Sequence, residues 1–160
     1  MRYLLDTHIV IWAMVGSRKL SDSARLILQD TGNVFYVSSA SIWEVSIKHS
    51  ARPNEIPVTS EQMIRFCRNS GIVELPVSFG HAQRVSLLPL HHNDPFDRML
   101  VAQAMEEGLF ILSHDGKLPP YGDFVVRVRS DKYRLVLYYP RSPSQRRNKG
   151  TRFKTIKKTI

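Results

Sequence analysis

Short apolar runs alternate with amphipathic stretches from one end of this chain to residue 126. Residues 3–5, 34–37, 72–75, 109–112 and 124–126 are brief, apolar and bounded by turn formers, which is the pattern of strands buried in a sheet. The stretches between them carry helical spacing. Residues 9–15 form one. A second opens at Ser21 with Ala24, Ile27 and Leu28 on one side and Gly32 beyond it. A third spans 41–50, with Ile42, Val45 and Ile47 as expected core contacts. Thr59 or Ser60 caps a fourth, closed by Gly71 after Asn69, and Ser78 starts a fifth that runs to Leu87. Pro95 suits the first turn of a longer helix that buries Met99, Leu100, Ala102 and Met105 and stops at Gly108. Strands alternating with helices predict an α/β fold, a mostly parallel sheet with helices on both faces. Residues 52–57 read as a loop, and there is no internal repeat.

Length and composition sharpen this picture in three places. The 160 residues fit one domain with a sizeable core. The lone Cys67 excludes an internal disulfide framework and a thiolate zinc cluster, and is expected to pack as a small core residue in a reducing cytoplasm. No apolar run approaches the roughly 18 residues of a membrane span, and Asp6 comes too early for a signal peptide, so a soluble protein with no membrane partner is expected. The net charge of +9 is uneven. Residues 127–160 hold 12 of the 23 Lys and Arg but one of the 14 Asp and Glu, leaving a mildly acidic body of 11 bases against 13 acids. The expected division is a domain over 1–128 and a basic extension over 129–160, with one strand at 134–139 and disorder from about Pro140. Such an extension is either a footprint for polyanions or a solvated tail.

Candidate chemistry lies in the acids. Asp6 follows the first strand, Glu44 sits in Ser41-Ile42-Trp43-Glu44, Asp94 and Asp97 in Asn93-Asp94-Pro95-Phe96-Asp97-Arg98, and Asp115 in Ser113-His114-Asp115-Gly116. Each has an ordinary structural explanation. Asp6 suits a helix cap, Ser41 and Glu44 a capping box, Glu44 and Lys48 a helical ion pair, Asp94 an N-cap, Asp97 the first turn, and Asp115-Gly116 a turn. Together, however, they recur at strand exits and helix starts, where open α/β sheets gather ligand sites. Carboxylates crowded there would repel at about 4 kcal/mol per close pair for an effective dielectric near 20, so a cation is expected among them. Oxygen ligands favour magnesium or manganese, and such ions support phosphodiester hydrolysis. Thr7 and Ser38 are candidates for orienting water or an acid, or for ordinary caps, and Arg98 for balancing the acids or touching phosphate. The six histidines are expected to make loop or substrate contacts, and Trp12 and Trp43 to be core residues.

At these residues the chain resembles the PIN-domain ribonucleases, specifically VapC-type toxins of bacterial toxin–antitoxin pairs. The resemblance covers residues 2–126. It rests on Leu-Leu-Asp-Thr-His at the start, Ser-x-x-Ser-x-Trp-Glu ending at Glu44, His-x-Asp-Pro-Phe-Asp-Arg from His92, and Ser-His-Asp before the last strand. It implies a PIN-like three-layer sandwich, a magnesium- or manganese-dependent endoribonuclease, a homodimer, and inhibition by an antitoxin whose tail enters the acidic groove. Carried over by residue, it makes Asp6 and Asp97 metal ligands, with Asp94 and Asp115 able to join them, and Glu44 the second acid of the site. Ser113-His114 departs from the more usual threonine-containing approach to Asp115, and the segment from about Arg129 has no counterpart. Two rivals of the same sheet class fit poorly. A phospho-accepting receiver needs adjacent acids after the first strand, and a haloacid-type phosphatase needs an acid at the position of His8. The remaining alternative is a non-enzymatic nucleic-acid or partner-binding protein that uses the basic tail.

Overall fold

The computed structural model describes residues 1–54 and 56–129. The strand expected at 134–139 and the disorder expected beyond Pro140 lie outside the described residues. Among those described, five strands form one sheet: β1 (Arg2–Leu5), β2 (Val34–Ser38), β3 (Val73–Leu75), β4 (Phe110–Ser113) and β5 (Val125–Arg127). Six helices connect them: α1 (Thr7–Met14), α2 (Asp22–Gln29), α3 (Ser39–Ala51), α4 (Ser60–Asn69), α5 (Phe79–Leu87) and α6 (Pro95–Glu107), with a 3₁₀ turn at Pro119–Tyr121. All four strand pairings are parallel and the order is β3-β2-β1-β4-β5.

Alternation within β1 divides the core into two layers. Tyr3 and Leu5 join Val37 and Leu112 against Ile9, Val10, Ala24, Val45 and Met63 from α1 to α4. Leu4 and Ile111 face the other way, against Leu100, Val101 and Ala104 of α6 and Leu88 after α5. Helices thus cover both sheet faces, and full burial of each large aliphatic side chain contributes about 1.5–3 kcal/mol. Cys67 lies in the first layer, as its lack of a partner implied.

The helix ends follow from local chemistry. Thr59 with Gln62 and Ser78 with His81 form reciprocal capping boxes at α4 and α5. Asp94 caps α6, Pro95 occupies its first position, and Gly108 ends it at φ 62°, a left-handed conformation that a Cβ would disfavour. One capping expectation fails. α3 begins at Ser39, with Ser38 as its cap accepting from Ala40 N at 3.0 Å, so Ser41 and Glu44 lie inside the helix and form no capping box. The rotation of α3 also differs from expectation. Its inward line is Ala40, Ser41, Glu44 and Val45, while Trp43 is 62% exposed and Ile47 is exposed. Met105 of α6 is exposed as well. No helix among the described residues is long and apolar enough to cross a membrane.

The topology places a crevice. The chain winds outward from β1 through β2 to β3, then returns to the other side of β1 as β4 and β5. At the carboxyl ends of β1 and β4 the connections diverge, the arrangement that opens ligand sites in parallel sheets. Asp6 leaves β1 there, and Ser113 ends β4 there.

Candidate metal centre

Asp6 is fixed at both oxygens. Oδ1 caps α1 by accepting His8 N–H at 3.0 Å, and Oδ2 accepts the Ser113 hydroxyl. The same Ser113 Oγ accepts Asp115 N–H at 3.0 Å, so one hydroxyl ties the first acid to the segment carrying the last. Burial pushes the Asp6 carboxyl up, but hydrogen bonds from the His8 side chain, Ser113 and the His8 backbone outweigh it and hold the group below the ordinary carboxylate range.

Glu44 reaches the crevice from α3 and is only 6% exposed. Thr7 donates its hydroxyl to Oε2 at 2.6 Å, and the Lys48 ammonium pairs with Oε1. The expected Glu44–Lys48 pair is therefore present, while Thr7 holds Glu44 and not Asp6. Ser38 is fully buried as the cap of α3.

Asp94, Asp97 and Asp115 meet around a histidine for which the sequence suggested only a loop or substrate contact. His92 is 7% exposed, and its backbone N–H donates to Tyr121 Oη at 3.1 Å. Its Nδ1 accepts Asp94 N–H at 3.0 Å, so the neutral ring carries its proton on Nε2. That Nε2 lies 3.0 Å from Asp115 Oδ2 and 3.2 Å from Asp97 Oδ2. Asp115 Oδ1 accepts Lys117 N–H at 2.8 Å, and Asp94 Oδ1 caps α6 through Phe96 N–H at 2.8 Å. The signal for His92 was its place in His-x-Asp-Pro-Phe-Asp, two residues before the cap whose amide it accepts.

Asp97 registers the convergence of the acids. Its carboxyl is pushed up to about 7, first by burial and then by Asp6, Asp94 and Glu44, with His92 opposing. Four acids, from the caps of α1 and α6 and from within α3 and α6, therefore act on one another through the same crevice. Asp115 is held low, because the Lys117 amide and His92 outweigh the effect of burial, although Asp6 acts against it.

Arg98 does not balance these acids by direct contact. Its guanidinium donates to the carbonyls of Val85, Leu88 and Pro89 and approaches Tyr121 Oη at 3.3 Å. It clamps the end of α5 to α6.

His92, Asp97 and Asp115 bring ring-nitrogen and carboxylate-oxygen atoms within 4.8 Å of one another. Because Nδ1 is committed to an N–H donor, Nε2 has no free lone pair, and the imidazole serves the cluster as a donor to carboxylates. The remaining ligands are oxygens. Carboxylates whose mutual repulsion raises one of them toward neutrality suit a hard divalent cation.

A family model, that of the PIN domain, matches residues 3–122. In structure the chain is similar to a chain of the VapBC2 complex of Rickettsia felis bound to a promoter DNA fragment, at 13% identity and a TM-score of 0.58, covering 81% of this chain and 98% of that one. It is similar to a chain of VapBC-1 from nontypeable Haemophilus influenzae at 16% identity and a TM-score of 0.51, covering 76% and 92%. A toxin–antitoxin complex from Klebsiella pneumoniae gives 20% identity and a TM-score of 0.50, covering 73% and 92%. At these identities the likeness is one of fold. No curated protein matches the sequence.

Proposed function

Because the chain belongs to the PIN domain family, we propose that it is a divalent-metal-dependent endoribonuclease, the VapC-type toxin of a toxin–antitoxin pair. The observation that carries this reading is the convergence of acids from separate segments: Ser113 joins Asp6 to the Asp115 turn, and His92 Nε2 lies 3.2 Å from Asp97 and 3.0 Å from Asp115. A carboxyl pushed up to about 7 by burial and by Asp6, Asp94 and Glu44 belongs to a cluster that needs a cation to be fully ionised near neutral pH. The fold likeness to chains of VapBC complexes supports the toxin part, with a cognate antitoxin as partner; RNA as substrate follows from the resemblance in sequence. A homodimer acting in the cytoplasm completes the proposal.

Asp6 and Asp97 would hold the ion, with Asp94 and Asp115 at its margin. Magnesium or manganese bound there would lower the pKa of water and stabilise charge on the phosphodiester. The chain's own residues do the positioning. Ser113 and His8 hold Asp6 ionised. Thr7 and Lys48 fix the two oxygens of Glu44, whose remaining lone pairs are available to orient the attacking water. His92 holds Asp97 and Asp115 side by side.

The test is cleavage of RNA by the full-length protein with magnesium, with manganese and with chelator, beside Asp6→Asn. Cleavage should require the ion and disappear in Asp6→Asn while circular dichroism and the melting curve show an intact fold. A folded Asp6→Asn protein that cuts RNA as fast as wild type rejects the reading.

A further inference from the structure

One exposed feature next to the acids has no role in the chemistry above. Trp43 of α3 is 62% exposed, immediately before Glu44. Its ring meets that of Phe96, immediately before Asp97, edge to face with centroids 5.3 Å apart. The Lys48 ammonium, paired with Glu44, lies 5.9 Å from the centre of the Phe96 ring. The other indole is placed differently. Trp12 is half-buried against the first core layer and is covered by His114, with ring centroids 4.4 Å apart. Helix α3 buries Ser41, whose Oγ has no partner, on the face where a Trp would gain most, and leaves the indole in water. An exposed indole at the lip of an acidic crevice calls for a ligand.

We propose that Trp43, supported by Phe96, is a stacking shelf for one unpaired base of a single-stranded RNA, next to the phosphodiester held at the acids. The proposal rests on the nuclease reading and adds to it the residue that grips the strand beside the acids. The shelf presents what a nucleotide can match on both sides. An aromatic face takes a base irrespective of its hydrogen-bonding edge, and a cation beside it suits the adjoining phosphate. A paired base in a duplex offers no free face, so a double strand is refused. Phe96 fixes the indole's orientation, so little side-chain freedom is lost when the base docks.

The experiment uses the full-length protein carrying Trp12→Phe, in which Trp43 is the one indole left. It is titrated in calcium with a single-stranded 12-residue oligoadenylate, with a strand of the same length containing abasic sites, and with the same oligoadenylate in a duplex. The oligoadenylate should quench Trp43 fluorescence, and the abasic and duplex strands should not. Read by fluorescence polarisation of labelled strand, Trp43→Ala should weaken oligoadenylate binding by roughly 5- to 150-fold, and Trp43→Phe should restore most of it. Quenching by Trp43 without any cleavage in magnesium or manganese would support the shelf and reject the nuclease. Equal quenching by abasic strand, or unchanged affinity in a folded Trp43→Ala protein, overturns the shelf. It is also overturned if Trp43→Ala leaves RNA affinity untouched and abolishes binding of a protein partner instead.

Discussion

His92 holds Asp115: its Nε2 lies 3.0 Å from Oδ2, while its Nδ1 is committed to the amide of Asp94. This arrangement makes the imidazole an orienting donor and leaves oxygen as the ligand type. Substituting His92→Ala should weaken manganese binding about 10- to 100-fold, the usual cost of removing a group that orients a ligand. Calorimetric titration of the folded variant with manganese measures it. Zinc should gain no more over manganese in the wild type than the general order of divalent-ion affinities gives at oxygen ligands, since no imidazole lone pair points at the ion. Unchanged manganese affinity in His92→Ala would show that Asp97 and Asp115 hold their places without it.

Thr7 and Glu44 are 37 residues apart, and their bond joins α1 to α3 at 2.6 Å in a buried setting. A hydrogen bond to a buried carboxylate contributes about 1.5–3 kcal/mol, and its loss leaves an acceptor without a donor. Thr7→Val should therefore lower unfolding stability by that amount in urea denaturation, while Thr7→Ser, which keeps the hydroxyl, should lose less. Equal stability of Thr7→Val and wild type would mean that Lys48 alone suffices for Glu44.

Much of the fold was legible because strand and helix periods were written in apolar residues. The runs at 109–112 and 34–37 became β4 and β2 with their ends moved by a residue, and Pro95 and Gly108 bounded α6 as their backbone preferences require. The start of α3 was harder to read, because Ser38, Ser39 and Ser41 all resemble caps. Its rotation was misread for a different reason. The buried face carries Ser41 and Glu44, turned inward by the site, so the apolar residues Trp43 and Ile47 were left outside. His92 was passed over because its partners Asp97 and Asp115 approach it only through the fold; Asp115 is 23 residues away in sequence. Arg98 sat beside an acid in sequence but reaches the carbonyl of Val85 in α5 and those of Leu88 and Pro89 after it in space.

The elevated carboxyl of Asp97 predicts how stability depends on pH. In the unfolded chain this group ionises near 3.8, and in the fold it keeps its proton up to about 7. Between these values the folded state holds a proton that the unfolded state has lost, so stability from this group is complete below about 4 and is lost as pH rises toward 7. Asp6 and Asp115 are held low and act in the opposite sense, stabilising above 3.8 and losing that contribution as pH falls. The comparison with Asp97→Asn isolates the first effect. In chelator, wild type should lose a few kcal/mol relative to Asp97→Asn between about pH 4 and pH 8, because each tenfold difference in proton affinity between the two states is worth about 1.4 kcal/mol. Magnesium or manganese, binding the folded state, should narrow or reverse the difference at about pH 8. Parallel stability curves for the two proteins would show that the acids do not act on Asp97 as the geometry implies.

Arg98 separates a structural role from a substrate-binding one. Its guanidinium satisfies the carbonyls of Val85, Leu88 and Pro89 and meets Tyr121 Oη, which itself donates to Pro89 O at 3.1 Å and accepts the His92 amide. Val85 O lies in the last turn of α5, where it also accepts Leu88 N–H, and the carbonyls of Leu88 and Pro89 follow the helix, so Arg98 ties down both the helix end and the chain leaving it. Lysine cannot reproduce this, because a point ammonium lacks the planar fork that reaches several carbonyls at once. Arg98→Ala and Arg98→Lys should both lower stability, by about 1.5–3 kcal/mol for the loss of charge-assisted hydrogen bonds. Under conditions where both variants are folded, KM for RNA should stay within about twofold of wild type. If instead stability held and KM rose tenfold, Arg98 would be touching phosphate, and the clamp would be incidental.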